Sequence, residues 1–183
     1  MTPADRYRLV SSQFDQLLAD VPADRWDSPS PCEGWTARQV VQHVVDTEAD
    51  LLDRMGFDAP DVAGVEPVEA WHRVHRAVEA ALDDPARANH EYDGYFGRTT
   101  FARTVDDFYS FDLVVHRWDV AHAVGLAGHE RIDDDELARL RAGAEGFGDA
   151  MRMPGIFGPE VPAPVDASAQ ERFLAWIGRD PRT

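Results

Sequence analysis

Acidic residues outnumber basic ones by 34 to 18 in this 183-residue chain, and the formal net charge of −16 repels phosphate backbones and anionic lipid, so neither nucleic acid nor a membrane is an expected partner. The length suits one domain with one sizeable core, no apolar run approaches the ~20 residues of a membrane span, and the start MTPADRYRLV is unlike an export signal, which together predict a cytoplasmic protein. Cys32 is the single cysteine, so no intrachain disulfide can form, and on this reading any metal must rely on His and carboxylate ligands.

The first helix is expected from Thr2-Pro3, a capping residue followed by a proline, with Tyr7, Val10, Phe14, Leu17 and Val21 on one face. Arg25 to Trp35 holds two prolines and a glycine among Trp26, Cys32 and Trp35, which reads as a packed loop. No His adjoins Cys32 in sequence, and a lone cysteine is usually a small buried residue, so it is taken as structural. Thr36 and Gln39 form a capping box, with Trp35 placed to staple onto Val40. The helix they open runs to about Gly56 and buries Val40, Val44, Leu51 and Met55, with His43 and Thr47 at the edge of that face.

A third helix is expected from about Pro67 to Leu82, with Trp71, Val74, Val78 and Leu82 inward. Its His72 and His75 read as flank residues, a ligand role for His75 staying open. Residues 83–98 form an irregular connection in which a short hairpin fits, and Tyr92, Tyr95 and Phe96 have the character to fold over a cavity mouth. A helix then spans Phe101 to Gly125. At 3.6 residues per turn Phe101, Val105, Phe108, Asp112, Val115 and Asp119 share a stripe, with His116 on its flank.

Two acids on an otherwise apolar stripe need buried partners or a metal. Asp112 and His116, at i, i+4, point to one place, as two ligands on a helix do. The spacing alone also fits a simple ion pair, and His43 alone would read as a boundary histidine. The acids Asp133 to Glu136 open a helix carrying Leu137, Leu140, Ala144, Phe147 and Met151. The proline-rich MPGIFGPEVPAPVD then wraps the surface, and Ser168 with Glu171 caps a last helix that ends at Gly178. This is an all-α chain, a four-helix bundle core with additional short C-terminal helical segments.

Four stretches, WDSPSPCEGWTARQVVQHVV, FDLVVHRWDVAHAVG, FGPEVPAPVD and ERFLAWIGRDP, together resemble the actinobacterial branch of the DinB-like superfamily that shares the metal-binding domain of mycothiol-dependent maleylpyruvate isomerase. The resemblance implies an antiparallel four-helix bundle with a long crossover, here one domain over residues 1–183. It also implies a divalent metal held by one His on the second helix and an acid-x-x-x-His pair on a later one, which here are His43, Asp112 and His116. Asp112 stands where that pattern has glutamate, one methylene longer. The isomerase's second, C-terminal domain has no counterpart past the last helix, so its particular activity is not carried over.

Two His and one carboxylate leave open positions on an ion, as a catalytic site requires. Zinc is the first choice, nickel or iron next. The expected function is a metal-dependent mycothiol transferase or isomerase in which the ion lowers the pKa of the thiol for addition to an electrophilic substrate. Asp119 is then a second-shell acceptor or general base, or else an ion-pair partner of Arg38, Arg117 or Arg103. The alternative is a non-catalytic metal-binding bundle serving stability or interaction, and the reading admits a homodimer. A triad of this kind also suits non-haem iron oxygenases, ranked low because their usual scaffold is a β-sandwich.

Overall fold

Three helices start on the capping signals that the sequence carries. In the computed structural model, which describes residues 1–153 and 156–182, α1 (Pro3–Asp20) is capped by Thr2 with Asp5, and α2 (Ala37–Arg54) by Thr36 with Gln39. The third box, Ser168 with Glu171, belongs to the last helix (Ala169–Trp176). In each box the hydroxyl takes an N–H of the first turn and the N3 side chain returns to the cap N–H. Helix α3 (Pro67–Asp83) opens on a proline, whose missing N–H costs nothing there. After the short α4 (Pro85–Ala88), the expected hairpin forms from β1 (Glu91–Gly94) and β2 (Gly97–Thr100) around the two-residue tip Tyr95-Phe96.

The long helix expected from Phe101 to Gly125 is helical throughout but not uniform. α5 (Phe101–Thr104) passes through one π-helical turn, Val105–Tyr109, into α6 (Ser110–Val124). A π turn inserts one residue and rotates the register. The apolar stripe is therefore broken: Phe101 and Val105 are buried, Phe108 is only half-buried, and Phe111 enters the core in its place. Two further helices follow, α7 (Asp134–Gly146) and α8 (Ala169–Trp176). Of the Pro/Gly-rich segment read as a surface wrap, residues 154 and 155 lie outside the described residues.

Helices α1, α2, α3 and α6 make the bundle, each packed on two of the others. Side-chain contacts give their directions. Trp71 near the start of α3 meets Asp15 near the end of α1, so that pair is antiparallel. Arg54, which ends α2, donates to Tyr109 just before α6, while Cys32 ahead of α2 meets Asp119 late in α6, so that pair is antiparallel too. Arg6 joins Asp106 at one end of the α1/α6 seam and His129 joins Asp20 at the other, so α1 and α6 are parallel. It follows that α2 and α3 are parallel as well, and the connection between them, residues 55–66, must travel back along the bundle. This connection and the one between α3 and α6 are the long links of the fold. One continuous apolar core runs from Tyr7 to Ile177, and α6 is buried nearly all round because α7 and α8 cover the side that α1 and α2 leave open. No helix among the described residues is long and apolar enough to cross a membrane.

Candidate metal centre

Just past the π turn, α6 presents Asp112 and His116 toward α2. Asp112 Oδ1 lies 3.2 Å from His116 Nε2, and Asp112 Oδ2 lies 3.7 Å from His43 Nε2. The rings of His43 and His116 stand edge to face, 5.1 Å apart. All three side chains offer a ligand atom within 4.8 Å of the others, so the residues singled out in the sequence are brought together and could hold one ion. His116 is buried, whereas the side chains of Asp112 and His43 are 37% and 33% exposed, which gives the group one open side. Trp35, expected to staple onto Val40, lays its ring on His43 at 4.8 Å.

Behind His116 stands a second layer. Its Nδ1–H donates to Asp119 Oδ2 at 2.9 Å, and its Nε2 faces Asp112 and His43. Asp119 is fully buried, as expected, but its arginine is none of the three considered from sequence. Arg38 pairs with Asp27 and Glu66, Arg103 with Asp107, and Arg117 donates to the carbonyls of His129 and Arg131. The partner is Arg179, whose Nη2 and Nε donate to Asp119 at 3.1 and 3.3 Å. Burial works against ionised Asp119, yet the Arg179 charge and the His116 hydrogen bond together hold its carboxyl well below the usual range. His116 is raised well above an ordinary histidine: burial opposes its charge, but Asp112 and Asp119 both favour the imidazolium. His43 is lowered by burial and stays neutral near pH 7.

Arg179 was not legible from sequence because it follows the end of a helix. α8 closes in a Schellman motif, with the Arg179 N–H on Leu174 O at 2.9 Å and the Gly178 N–H on Ala175 O at 3.1 Å. Gly178 takes φ +87°, and a Cβ there would sit 2.8 Å from the Gly158 carbonyl carbon. Only glycine fits this position, and the reversal turns Arg179 back into the core, leaving it 8% exposed.

Cys32 also needs correction. It has no His beside it in sequence, but the fold brings it into a group with His116 and Asp119, and its Sγ lies 3.2 Å from Asp119 Oδ2 and 3.5 Å from Arg179 Nη2. A thiol ligand set is therefore present in geometry, contrary to the expectation that cysteine chemistry was excluded. The guanidinium of Arg179 already supplies the positive charge there, so the His43, Asp112 and His116 group is the better cation site. His75 differs too. It is buried and stacked on Trp71 at 4.9 Å, and its carboxylate comes from α1, with Asp15 3.8 Å away.

A further acid lies within the bundle. Glu48 on α2 is 1% exposed and accepts from the Tyr7 hydroxyl at 2.7 Å, while its Oε1 has no partner among the described residues. Burial first, then the charges of Asp112 and Glu79, push it up to about 8, so it is mostly protonated at neutral pH.

Residues 7–91 match the family described as the mycothiol maleylpyruvate isomerase N-terminal domain. Over that stretch, a little under half of its length, the chain is similar to the family. The match takes in α1 to α3 and His43 but stops short of Asp112 and His116, which rest on geometry. An uncharacterized protein of Mycobacterium tuberculosis is 28% identical over 186 residues, covering 100% of both chains. A second uncharacterized protein of the same organism is 28% identical over 147 residues, covering 65% of this chain and 55% of its own. No solved structure matches.

Proposed function

We propose that the protein binds one divalent ion, zinc in the first place, through His43, Asp112 and His116, and uses it to join or isomerise a small electrophile with a low-molecular-weight thiol such as mycothiol. The observation that supports this reading is the convergence of the three ligand side chains from two helices with one side open. The donor set fits: two imidazoles and a carboxylate suit zinc, nickel or iron, and three protein ligands leave room for an exchangeable group. When bound, such an ion supplies a Lewis acid that favours the thiolate form of a coordinated thiol at neutral pH.

The chain's own residues have separable tasks. Asp119 accepts the hydrogen bond from His116 Nδ1–H and so would keep Nε2 for an ion, the usual arrangement behind a metal-binding histidine. A carboxylate held this low and enclosed by His116, Arg179 and Cys32 is a poor general base, so Asp119 is a positioning residue. Arg179 keeps Asp119 ionised, and Trp35 limits the movement of His43.

The test compares consumption of mycothiol with a panel of electrophiles by the metal-loaded protein, the chelated protein and His116→Ala. Turnover with the loaded protein alone supports the reading. Consumption that is equal with and without metal removes the enzyme. Metal binding without turnover, with His116→Ala lowering the melting temperature as much as chelation does, transfers the site to the non-catalytic bundle.

A further inference from the structure

On the helical segment that carries Asp112, one turn earlier, begins a shelf of aromatic rings that the bundle does not require. Phe108 precedes Asp112 by one helical turn, so the two side chains are neighbours. Phe96 from the hairpin tip stacks on Phe108, with planes 8° apart and centroids 6.0 Å apart, and Phe147 at the end of α7 packs on both at 5.6 and 5.5 Å. Tyr95 extends the surface, its ring 4.9 Å from Phe96 and its hydroxyl 3.1 Å from Met153 Sδ. Tyr95 and Phe96 remain 73% and 54% exposed. Adjacent large aromatic residues kept in water at this level mark a binding surface more often than a packing accident.

Resting on the metal reading above, we infer that the substrate carries a flat apolar or aromatic body, which lies on Phe96 and Phe108 while its polar head reaches the ion held by His43, Asp112 and His116. Continuity decides for a small molecule over a second copy of the chain. Phe108 stands one helical turn from Asp112, which with His43 is the part of the metal group still open, and a second chain seated there would close that opening. Trp35 lies against His43, so an aromatic ring also adjoins the other exposed member of the group. The chain's net charge of −16 disfavours a strongly anionic body.

The experiment uses zinc-binding hydroxamates of increasing length on the zinc-loaded protein, with affinities from titration calorimetry. Biphenyl-4-carbohydroxamate is expected to bind at least about tenfold more tightly than acetohydroxamate, with benzohydroxamate between them, as burial of one to two rings implies. The double substitution Tyr95→Ser, Phe96→Ser lies on an exposed tip and should bring the biphenyl affinity close to that of acetohydroxamate. Acetohydroxamate binding and zinc content should be unchanged. Equal affinity of the three hydroxamates for the wild-type protein overturns the inference and leaves the metal reading intact. Absence of both zinc and hydroxamate binding removes the metal reading and the inference with it. Sedimentation showing a dimer that the double substitution dissociates, with no preference among hydroxamates, overturns it by giving the shelf to a second copy.

Discussion

Asp119 and Arg179 form a buried ion pair at 3.1 Å between the middle of the last bundle helix and the turn that ends α8. Neither charge has an alternative in water, so removing one partner strands the other. Arg179→Ala should cost about 3 to 5 kcal/mol, because it leaves a carboxylate buried beside His116 without its cation. Urea unfolding of the chelated protein measures this, and a loss under about 1 kcal/mol would mean that water reaches the pair.

Asp119→Asn separates positioning from stability. The amide can still approach His116, but it no longer favours Nδ1–H and leaves Arg179 unpaired. Zinc affinity should fall by about 10-fold to 100-fold, the usual effect of losing such a support. Competition with a chromogenic chelator reads it directly. An unchanged affinity would count against Asp119 as the group that orients His116.

Elemental analysis should find about one divalent ion per chain after purification without chelator, and His43→Ala or His116→Ala should abolish it. Cys32→Ala should not, because the Arg179 guanidinium occupies the charge position next to the thiol. Loss of zinc in Cys32→Ala would instead mean that the ion sits among Cys32, His116 and Asp119.

Glu48 gives the pH dependence its sign. Burial pushes its carboxyl in the fold up to about 8 from the ordinary 4.5, so the native state binds more protons than the unfolded state between these values. Stability should then fall as pH rises from about 4.5 to 8, by at most ~4 kcal/mol for a shift of this size. In Glu48→Gln, which stays neutral and can still accept from Tyr7, this part of the slope should vanish. Melting temperatures of both proteins at pH 5 and pH 8 provide the check, and parallel slopes would show that Glu48 stays ionised in the fold.

The bundle was legible because its signals are local. A capping box lies within four residues, and the inward faces of α1, α2 and α3 repeat along one helix, so Tyr7, Val44 and Trp71 could be placed without knowing their neighbours. The meeting of Asp112 with His116 is local in the same sense. His43 was reached only through its position on the edge of an apolar face and through family resemblance. What stayed hidden depends on contacts between elements. Asp15 reaches His75 from another helix, Cys32 reaches Asp119 across 87 residues, and Arg179 depends on a left-handed glycine that reverses the chain. The π turn at Val105–Tyr109 left no periodic trace, because one inserted residue changes the phase of the pattern without removing its apolar members.

The turn at Gly178 also sets an order of assembly during synthesis. His43 emerges first, Asp112, His116 and Asp119 follow, and Arg179 emerges last of the group. Until α8 docks, a nascent chain holds Asp119 against His116 with no arginine to balance it, so its carboxylate has no cation at its side. Docking of Arg179 pairs that charge, so the seam between α6 and α8 closes only once the turn at Gly178 has formed.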